Sequence, residues 1–366
     1  MIKQSSIDEV RNRIDIHDVI NKFVKLKKNG SGYTGLCPFH NEKSPSFTVT
    51  PSKQIYKCFG CGKGGDAFKF VMDHEKKTFV ESIEWLAAEH HITLEYDQLQ
   101  EKETEEARNA KKEMLELISW AHKKYEGLLR SLPDDAEAIQ YMKERGYDRE
   151  RMISWGIGFA PDNWKFLTTP CINMGKHAPG VDCGLLYTKE GRNWDFFRNR
   201  IIVPIHDHNG VLVGLAGRII GAPDKDSEKK TAKWMNPCES LIYNKRKVLY
   251  GLWQAQKAIK DAGFAYVVEG YTDVQSMHDN GLENTVGSSG TEIDEVQARL
   301  LKRYADHVVI CYDGDDAGIN KAIIKINLFL KLDFKVSVIE LPGKKDPDEF
   351  IREYNLTTKE EAFAEV

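Results

Sequence analysis

The sequence has no apolar run long enough to cross a bilayer. Its most apolar stretches, such as His307-Val-Val-Ile-Cys311, have the length of a strand, whereas a spanning helix needs about 20 residues. The opening MIKQSSIDEV lacks the apolar core of a secretory signal, so a cytoplasmic protein is expected. Cysteine is sparse and odd in number, seven in 366 residues, which excludes a disulfide framework. Cys171, Cys183, Cys238 and Cys311 are scattered and are expected to be small buried thiols. There is no G-x-x-x-x-G-K-[ST], so no P-loop ATPase is built in. No internal repeat is present, which excludes a solenoid. An overall positive charge is lacking too: the net charge is −4, which excludes a uniformly basic nucleic-acid coat. What is present, 41% hydrophobic and 30% charged residues, is the composition of a globular chain long enough for two or three domains.

The charge is uneven along the chain. Eleven lysines face four acids between Lys22 and Lys77, and fourteen basic residues face eight acids between Val181 and Lys260. Two basic segments on an acidic chain point to polyanion contacts at particular faces. Ser6 and Glu9 have capping-box spacing, and Asp15 can cap the next helix. Short alternating segments follow at Tyr33–Leu36, Ser46–Val49 and Ile55–Cys58, then helical periodicity at Asp66–His74 and Thr78–Glu89. Asp97–Glu113 is almost devoid of apolar residues, as a solvated helix or a linker would be. Arg200–Ile205 and Gly210–Ala216 pattern as a hairpin turning at Asn209-Gly210. From Ala265, strand and helix alternate at βαβ spacing, which implies a parallel sheet. The expected layout is a small α+β domain over 1–97, a charged linker over 98–112 and a basic region over 113–260. An α/β region with a Rossmann-like parallel sheet follows over 261–350, and 351–366 open a further helical region that the chain does not complete.

Cys37-Pro-Phe-His40 and Cys58-Phe-Gly-Cys61 are two knuckles, each offering two ligands two residues apart. Three cysteines and a histidine at this spacing close a tetrahedral zinc site with protein atoms alone, so one structural zinc ion is expected. Aromatic residues interleave with lysines around it: Phe39, Phe47, Tyr56 and Phe59 with Lys43, Lys53, Lys57 and Lys63. Aromatic faces stack on unpaired bases and lysines track phosphates. Phe39 and Phe59 are expected to pack inward, with Tyr56 and Lys57 outward.

Acids end the expected strands of the α/β region: Glu269-Gly-Tyr-Thr-Asp273, Asp313-Gly-Asp-Asp-Ala-Gly318 and Asp346-Pro-Asp348. The carboxyl ends of parallel strands open on one edge, where these acids would converge. Clustered carboxylates require a neutralising cation, and carboxylate oxygens suit Mg²⁺ together with substrate phosphates. Helix capping by Asp273 and Asp316 is the plainer alternative for each acid taken singly. Arg198, Arg200, Arg218, Lys233 and Lys245 lie upstream, with the charge to hold template or triphosphate.

Taken together, these motifs resemble the bacterial DnaG-type primase family. The resemblance rests on Tyr33–His40, Glu42–Val49, Tyr56–Cys61 and Gly64–Asp66 in the zinc segment. In the middle it rests on Phe197-Arg-Asn-Arg-Ile201, Gly217-Arg218 and Lys233-Trp-Met-Asn-Pro237, and in the last third on the E-G-Y-x-D, D-G-D and D-P-D motifs of a Toprim domain. It implies a nucleotidyltransferase, a DNA-directed RNA polymerase making primers on single-stranded DNA from ribonucleoside triphosphates. Glu269, Asp313 and Asp315 would be the principal catalytic and Mg²⁺ acids, with two or more Mg²⁺, or Mn²⁺ in their place. Asp273, Asp346 and Asp348 would complete the cluster. Arg198, Arg200, Arg218, Lys233 and Lys245, with Lys57 and Tyr56, would contact nucleic acid or nucleotide. Asp316 stands where arginine is common in the family. A replicative helicase is the family's partner, and its docking domain is not expected in this chain. Two other readings stay open: another Toprim enzyme, topoisomerase or nuclease, or a zinc-dependent DNA-binding module with an inactive acidic site.

Overall fold

The computed structural model describes residues 2–95, 98–221, 232–290 and 292–354. The chain divides into two compact units, Met1–Glu106 and Ala107–Val366.

In the first unit, helices α1 (Gln4–Arg13) and α2 (Ile16–Asn21) precede five short strands: β1 (Lys27–Asn29), β2 (Gly32–Gly35), β3 (Phe47–Thr50), β4 (Ile55–Cys58) and β5 (Gly64–Gly65). These pair antiparallel in chain order. Helices α3 (Ala67–His74) and α4 (Phe79–Glu89) follow. Asp15, Asp66 and Thr78 cap α2, α3 and α4. The capping box expected at Ser6 does not form. The helix starts earlier, with Lys3 at its N-cap, so Ser6 falls inside it and turns inward to accept the Glu95 N–H at 2.8 Å. One core gathers Val10, Ile16, Ile20, Phe47, Val49, Phe70 and Leu86.

The polar stretch near residue 100 is helical: α5 runs from Gln98 to Ser131. Helices α6 (Glu137–Glu144) and α7 (Arg149–Ser154), strand β6 (Gly158–Ala160), and helices α8 (Thr168–Asn173) and α9 (His177–Asp182) follow. Strands β7 (Leu186–Lys189) and β8 (Arg192–Asp195) form a two-stranded ribbon. Strands β9 (Arg200–His206), β10 (Leu212–Ile219) and β11 (Trp234–Met235) complete an antiparallel sheet of order β11-β10-β9-β6. The β9–β10 turn falls at Asn209-Gly210, where Gly210 takes φ +81° and the Asp207 carboxylate accepts from Asn209 and Val211.

Helix α10 (Leu252–Ala262) leads into β12 (Ala265–Val268), α11 (Tyr271–Asp279), β13 (Thr285–Gly287), α12 (Glu295–Leu301), β14 (His307–Ile310), α13 (Asp316–Lys331), β15 (Lys335–Val338) and α14 (Pro347–Tyr354). The sheet is parallel throughout, in the order β13-β12-β14-β15. Both its faces are covered, which is why its strands read as unbroken apolar runs. Val268, Val309 and Cys311 pack with Tyr271, Val274 and Phe350. The alternate positions Val267, Val308 and Ile310 pack with Ala255, Ile259, Leu301 and Phe329. Cys171, Cys183 and Cys311 are buried as expected. Cys238 is exposed, because it lies past the end of β11 and outside any apolar layer. Among the described residues no helix is long and apolar enough to cross a membrane.

Candidate zinc and carboxylate centres

Strands β3 and β4 bring the two knuckles together, and one donor atom from each of Cys37, His40, Cys58 and Cys61 lies within 4.8 Å of the others. The Cys37 and Cys61 sulfurs are 3.8 Å apart, and Cys58 Sγ lies 3.9 Å from His40 Nδ1. Tetrahedral Zn–S bonds of about 2.3 Å place sulfurs about 3.8 Å apart, so the donor set fits zinc. Burial would raise the Cys58 thiol, but hydrogen bonds, those from the N–H groups of Cys61 and Gly60 among them, outweigh it and bring it down to about 6. A thiolate is thus favoured at Cys58, whereas burial pushes the Cys37 thiol up to about 12.

Of the aromatics around the knuckles, Phe39 packs inward as expected, against Phe47, Tyr56 and Phe70, while Tyr56 and Phe59 are placed opposite to expectation. Tyr56 is buried, stacked on Phe47 at 5.2 Å and edge-on to Phe70 at 5.5 Å. It shares the inward face of β4 with Cys58, two residues on. Phe59, in the knuckle turn beyond the strand, is 76% exposed. Lys57 is exposed, its ammonium on the Gly62 carbonyl at 2.6 Å.

In the second unit the acids meet at the carboxyl edge of the parallel sheet. Glu269 directly follows β12, and Asp313 stands just beyond β14. Gly314 lets the D-G-D loop approach the segment before α14. Its N–H donates to the Lys345 carbonyl at 2.9 Å, and a Cβ there would lie 2.5 Å from the Leu341 carbonyl oxygen. This approach brings Asp346 close enough to act on Asp313. Burial, then Glu269 and Asp346, push the Asp313 carboxyl up to about 6, with Lys321 opposing. Burial, then Asp346 and Asp313, hold Asp273 well above the usual carboxylate range. Asp273 accepts the Gly270 N–H at 2.8 Å and is buried behind the edge. Asp348 is also buried and raised, chiefly by burial, and pairs with Arg352 at 3.0 Å. Asp315 is exposed and caps α13, accepting from Gly318 at 2.7 Å. Asp316, assigned to capping as the plainer alternative, points to solvent instead.

Glu269 is unevenly served. Lys321 pairs with Oε2, while Oε1 is buried with no hydrogen-bond partner. A buried carboxylate oxygen without a donor, beside the raised Asp313, is the environment a divalent cation relieves. Sequence reasoning missed Lys321. It lies one turn beyond Gly318, whose Cα faces the Asp313 carbonyl, so helical spacing was the available signal.

Known families match the chain in the same order: the CHC2 zinc finger over residues 2–102, the N-terminal domain of the DNA primase catalytic core over 125–256, and a Toprim-like domain over 266–351. The solved structure of the zinc-binding and RNA polymerase domains of Aquifex aeolicus primase is 36% identical. It covers 98% of this chain and 84% of that one, with a TM-score of 0.58. The chain belongs to the DnaG-type primase family. A DnaG primase catalytic domain solved with bound ssDNA is 30% identical over 70% of this chain and 82% of its own, with a TM-score of 0.62. The DNA primase of Listeria innocua is 40% identical over 359 residues, and that of Halalkalibacterium halodurans 38% over 358. The chain spans 56% and 58% of these two relatives.

The basic residues of the DnaG-type motifs divide into two groups. Arg198 is exposed, its guanidinium 4.1 Å over the Trp164 ring and 2.9 Å from Asp162. Lys233 is exposed, and Lys245 is half-buried, with burial lowering its pKa. Arg200 and Arg218 are buried, contrary to the surface role expected of them. Arg200 donates to the carbonyls of Gly217 and Ala232, each at 3.0 Å, and so ties the segment before β11 to the sheet. Arg218 donates to the Tyr141 hydroxyl at 2.6 Å beneath the Trp234 ring. Trp234 in turn packs on Tyr271, whose hydroxyl donates to Asn236 at 2.8 Å. The K-W-M-N-P motif is thereby fastened to the loop that holds Glu269.

Proposed function

We propose that the chain is a primase that joins ribonucleotides on a single-stranded DNA template. The observation supporting this most strongly is that Asp313 feels the charges of Glu269, Asp346 and Asp315 along one sheet edge, beside a Glu269 oxygen with no hydrogen-bond partner. In the reaction the primer's 3′-hydroxyl attacks the α-phosphate of the next triphosphate, the α–β phosphoanhydride breaks, and pyrophosphate leaves. Glu269, Asp313 and Asp315 would hold Mg²⁺, which would neutralise phosphate charge and make the attacking hydroxyl more acidic. Asp346 adds negative charge at the edge, while Asp273 and Asp348 back it from buried positions, Asp348 paired with Arg352. Lys321 holds Glu269 in place from the side. Arg198, Lys233, Lys245 and Lys57 provide charge for template and triphosphate phosphates. Single-stranded DNA, Mg²⁺ and labelled ribonucleotides should yield short RNA that disappears with EDTA. Strand cleavage without RNA would favour a Toprim nuclease or topoisomerase instead.

The raised Asp313 value sets a pH test. A folded-state pKa above the unfolded one makes the folded protein bind the extra proton between about pH 4 and pH 6. Stability of the metal-free protein therefore falls as pH rises through that window. A bound cation offsets this loss only where Asp313 is ionised. Added Mg²⁺ should raise the Tm more at about pH 7.5 than at about pH 5, read by calorimetry, and equal shifts would reject the assignment.

Phe59 is the better stacking candidate of the zinc unit. Base stacking on one aromatic ring contributes about 1–3 kcal/mol. Phe59→Ala should weaken binding of a fluorescent single-stranded oligonucleotide about fivefold, the lower bound of that range, with zinc content unchanged. Unaltered anisotropy titrations would remove Phe59 from the template surface.

A further inference from the structure

Behind the zinc ligands stands one carboxylate that touches the first knuckle directly and the second through Ser46. Glu42 Oε1 accepts the Cys37 N–H at 2.8 Å and the Ser46 N–H at 3.0 Å. Its Oε2 accepts the Ser46 hydroxyl and lies 3.2 Å from His40 Nε2. The Ser46 hydroxyl is in turn 3.3 Å from Cys58 Sγ. Glu42 therefore reaches the backbone of the first knuckle, its imidazole and, through Ser46, a sulfur of the second. The second knuckle closes over the far side. A Cβ on Gly60 would lie 2.7 Å from His40 Nε2 and 2.8 Å from Ser46 Oγ, so only glycine fits there.

The two imidazole nitrogens have different surroundings. Nδ1 faces Cys58 Sγ at 3.9 Å, whereas Nε2 faces the Glu42 carboxylate. A carboxylate beside one ring nitrogen holds the proton there and leaves the other free to ligate. We infer that Glu42 is the positioning residue of the zinc centre, fixing His40 as an Nδ1 ligand and joining the two knuckles through Ser46. This rests on the zinc reading of the four ligands. It adds a residue of the E-K-S-P-S segment to the centre and names the ligating atom.

Outer carboxylates of this kind are worth 10–100-fold in metal affinity. The test uses the full zinc-loaded chain and its Glu42→Ala, Glu42→Gln and Ser46→Ala variants, titrated with a chromogenic chelator. Glu42→Ala should hold zinc about 10–100-fold more weakly. Glu42→Gln keeps an acceptor for the Cys37 and Ser46 N–H groups but loses the charge facing His40, so it should fall between Ala and wild type. Ser46→Ala leaves the carboxylate on His40 and should lose less than Glu42→Ala. Nitrogen-15 NMR of histidine-labelled wild-type protein should give a metal-bound Nδ1 and a protonated Nε2 for His40, a signature that mere loss of fold in a variant cannot imitate. A metal-bound Nε2, or a folded Glu42→Ala that keeps wild-type zinc affinity, would overturn the inference. Wild-type protein without zinc would overturn the reading of the four ligands as well, and so separates the two failures.

Discussion

Asp313→Asn should abolish primer synthesis while leaving one zinc per chain and an intact fold. Asparagine keeps the shape of the side chain and removes its charge, so the packing beneath the D-G-D loop is undisturbed. The change removes one of the charges that burial and the neighbouring Glu269 and Asp346 make costly. Without metal, the variant should therefore melt at or above the wild-type temperature. With Mg²⁺, the stabilisation seen in the wild type should shrink. A cation held by fewer charges loses several kcal/mol of transition-state stabilisation, and each 1.36 kcal/mol is tenfold, so the rate should fall by about a thousandfold or more. Asp316→Asn is the contrast. That side chain is 90% exposed, with Lys344 at 3.8 Å, and its loss should change synthesis by less than about twofold. Products resolved on a denaturing gel and melting with and without Mg²⁺ measure both. Undiminished synthesis by Asp313→Asn would sink the assignment of the acidic edge.

The acidic edge was legible because a simple rule connects it to sequence. Apolar runs ending in acids, separated by helices, become parallel strands whose carboxyl ends share one edge, and Glu269 and Asp313 stand at two such ends. The zinc ligands were legible for a similar reason, since two residues between ligands is one knuckle whatever surrounds it. Residues whose placement depends on alternation were harder. Tyr56 precedes Cys58 by two residues on β4, so a buried ligand obliges a buried tyrosine. Phe59 looked like core by composition, yet it falls beyond the strand in the turn. Arg200 and Arg218 carry charge, which composition reads as surface. They lie on the paired strands β9 and β10 opposite Ile219 and Ile201, and their guanidinium groups are satisfied by a carbonyl cage and by a hydroxyl. Nothing in the local pattern announces such partners, because they come from Ala232 and Tyr141, far along the chain. Lys321 escaped for the same reason, since the fold brings Glu269 to it across the sheet edge. Glu42 lies only two residues from His40, but spacing alone does not say which way a carboxylate in a turn will face.

Cys58→Ser is expected to strip the zinc and to melt the first unit while sparing the second. Cys58 is fully buried and belongs both to the ligand set and to the core around Phe47, Tyr56 and Phe70. Serine offers neither a thiolate nor an apolar atom there, so ligand and packing are lost together. Structural zinc contributes about 10–16 kcal/mol in isolated finger peptides, comparable to or above the about 5–15 kcal/mol a domain retains as net stability. Zinc should fall from one per chain to near zero, and calorimetry should lose or sharply lower one of two transitions. The second unit has its own cores on both faces of the parallel sheet and should keep its transition together with its response to Mg²⁺. Cys171→Ser, at a buried thiol of the second unit, should leave zinc content at one per chain. If the Cys58→Ser protein kept stoichiometric zinc in a folded first unit, the four-ligand centre would be wrong. If both transitions were lost, the second unit would depend on the first for its fold, and the loss of zinc would silence the acidic edge by unfolding it rather than by impairing the template's approach.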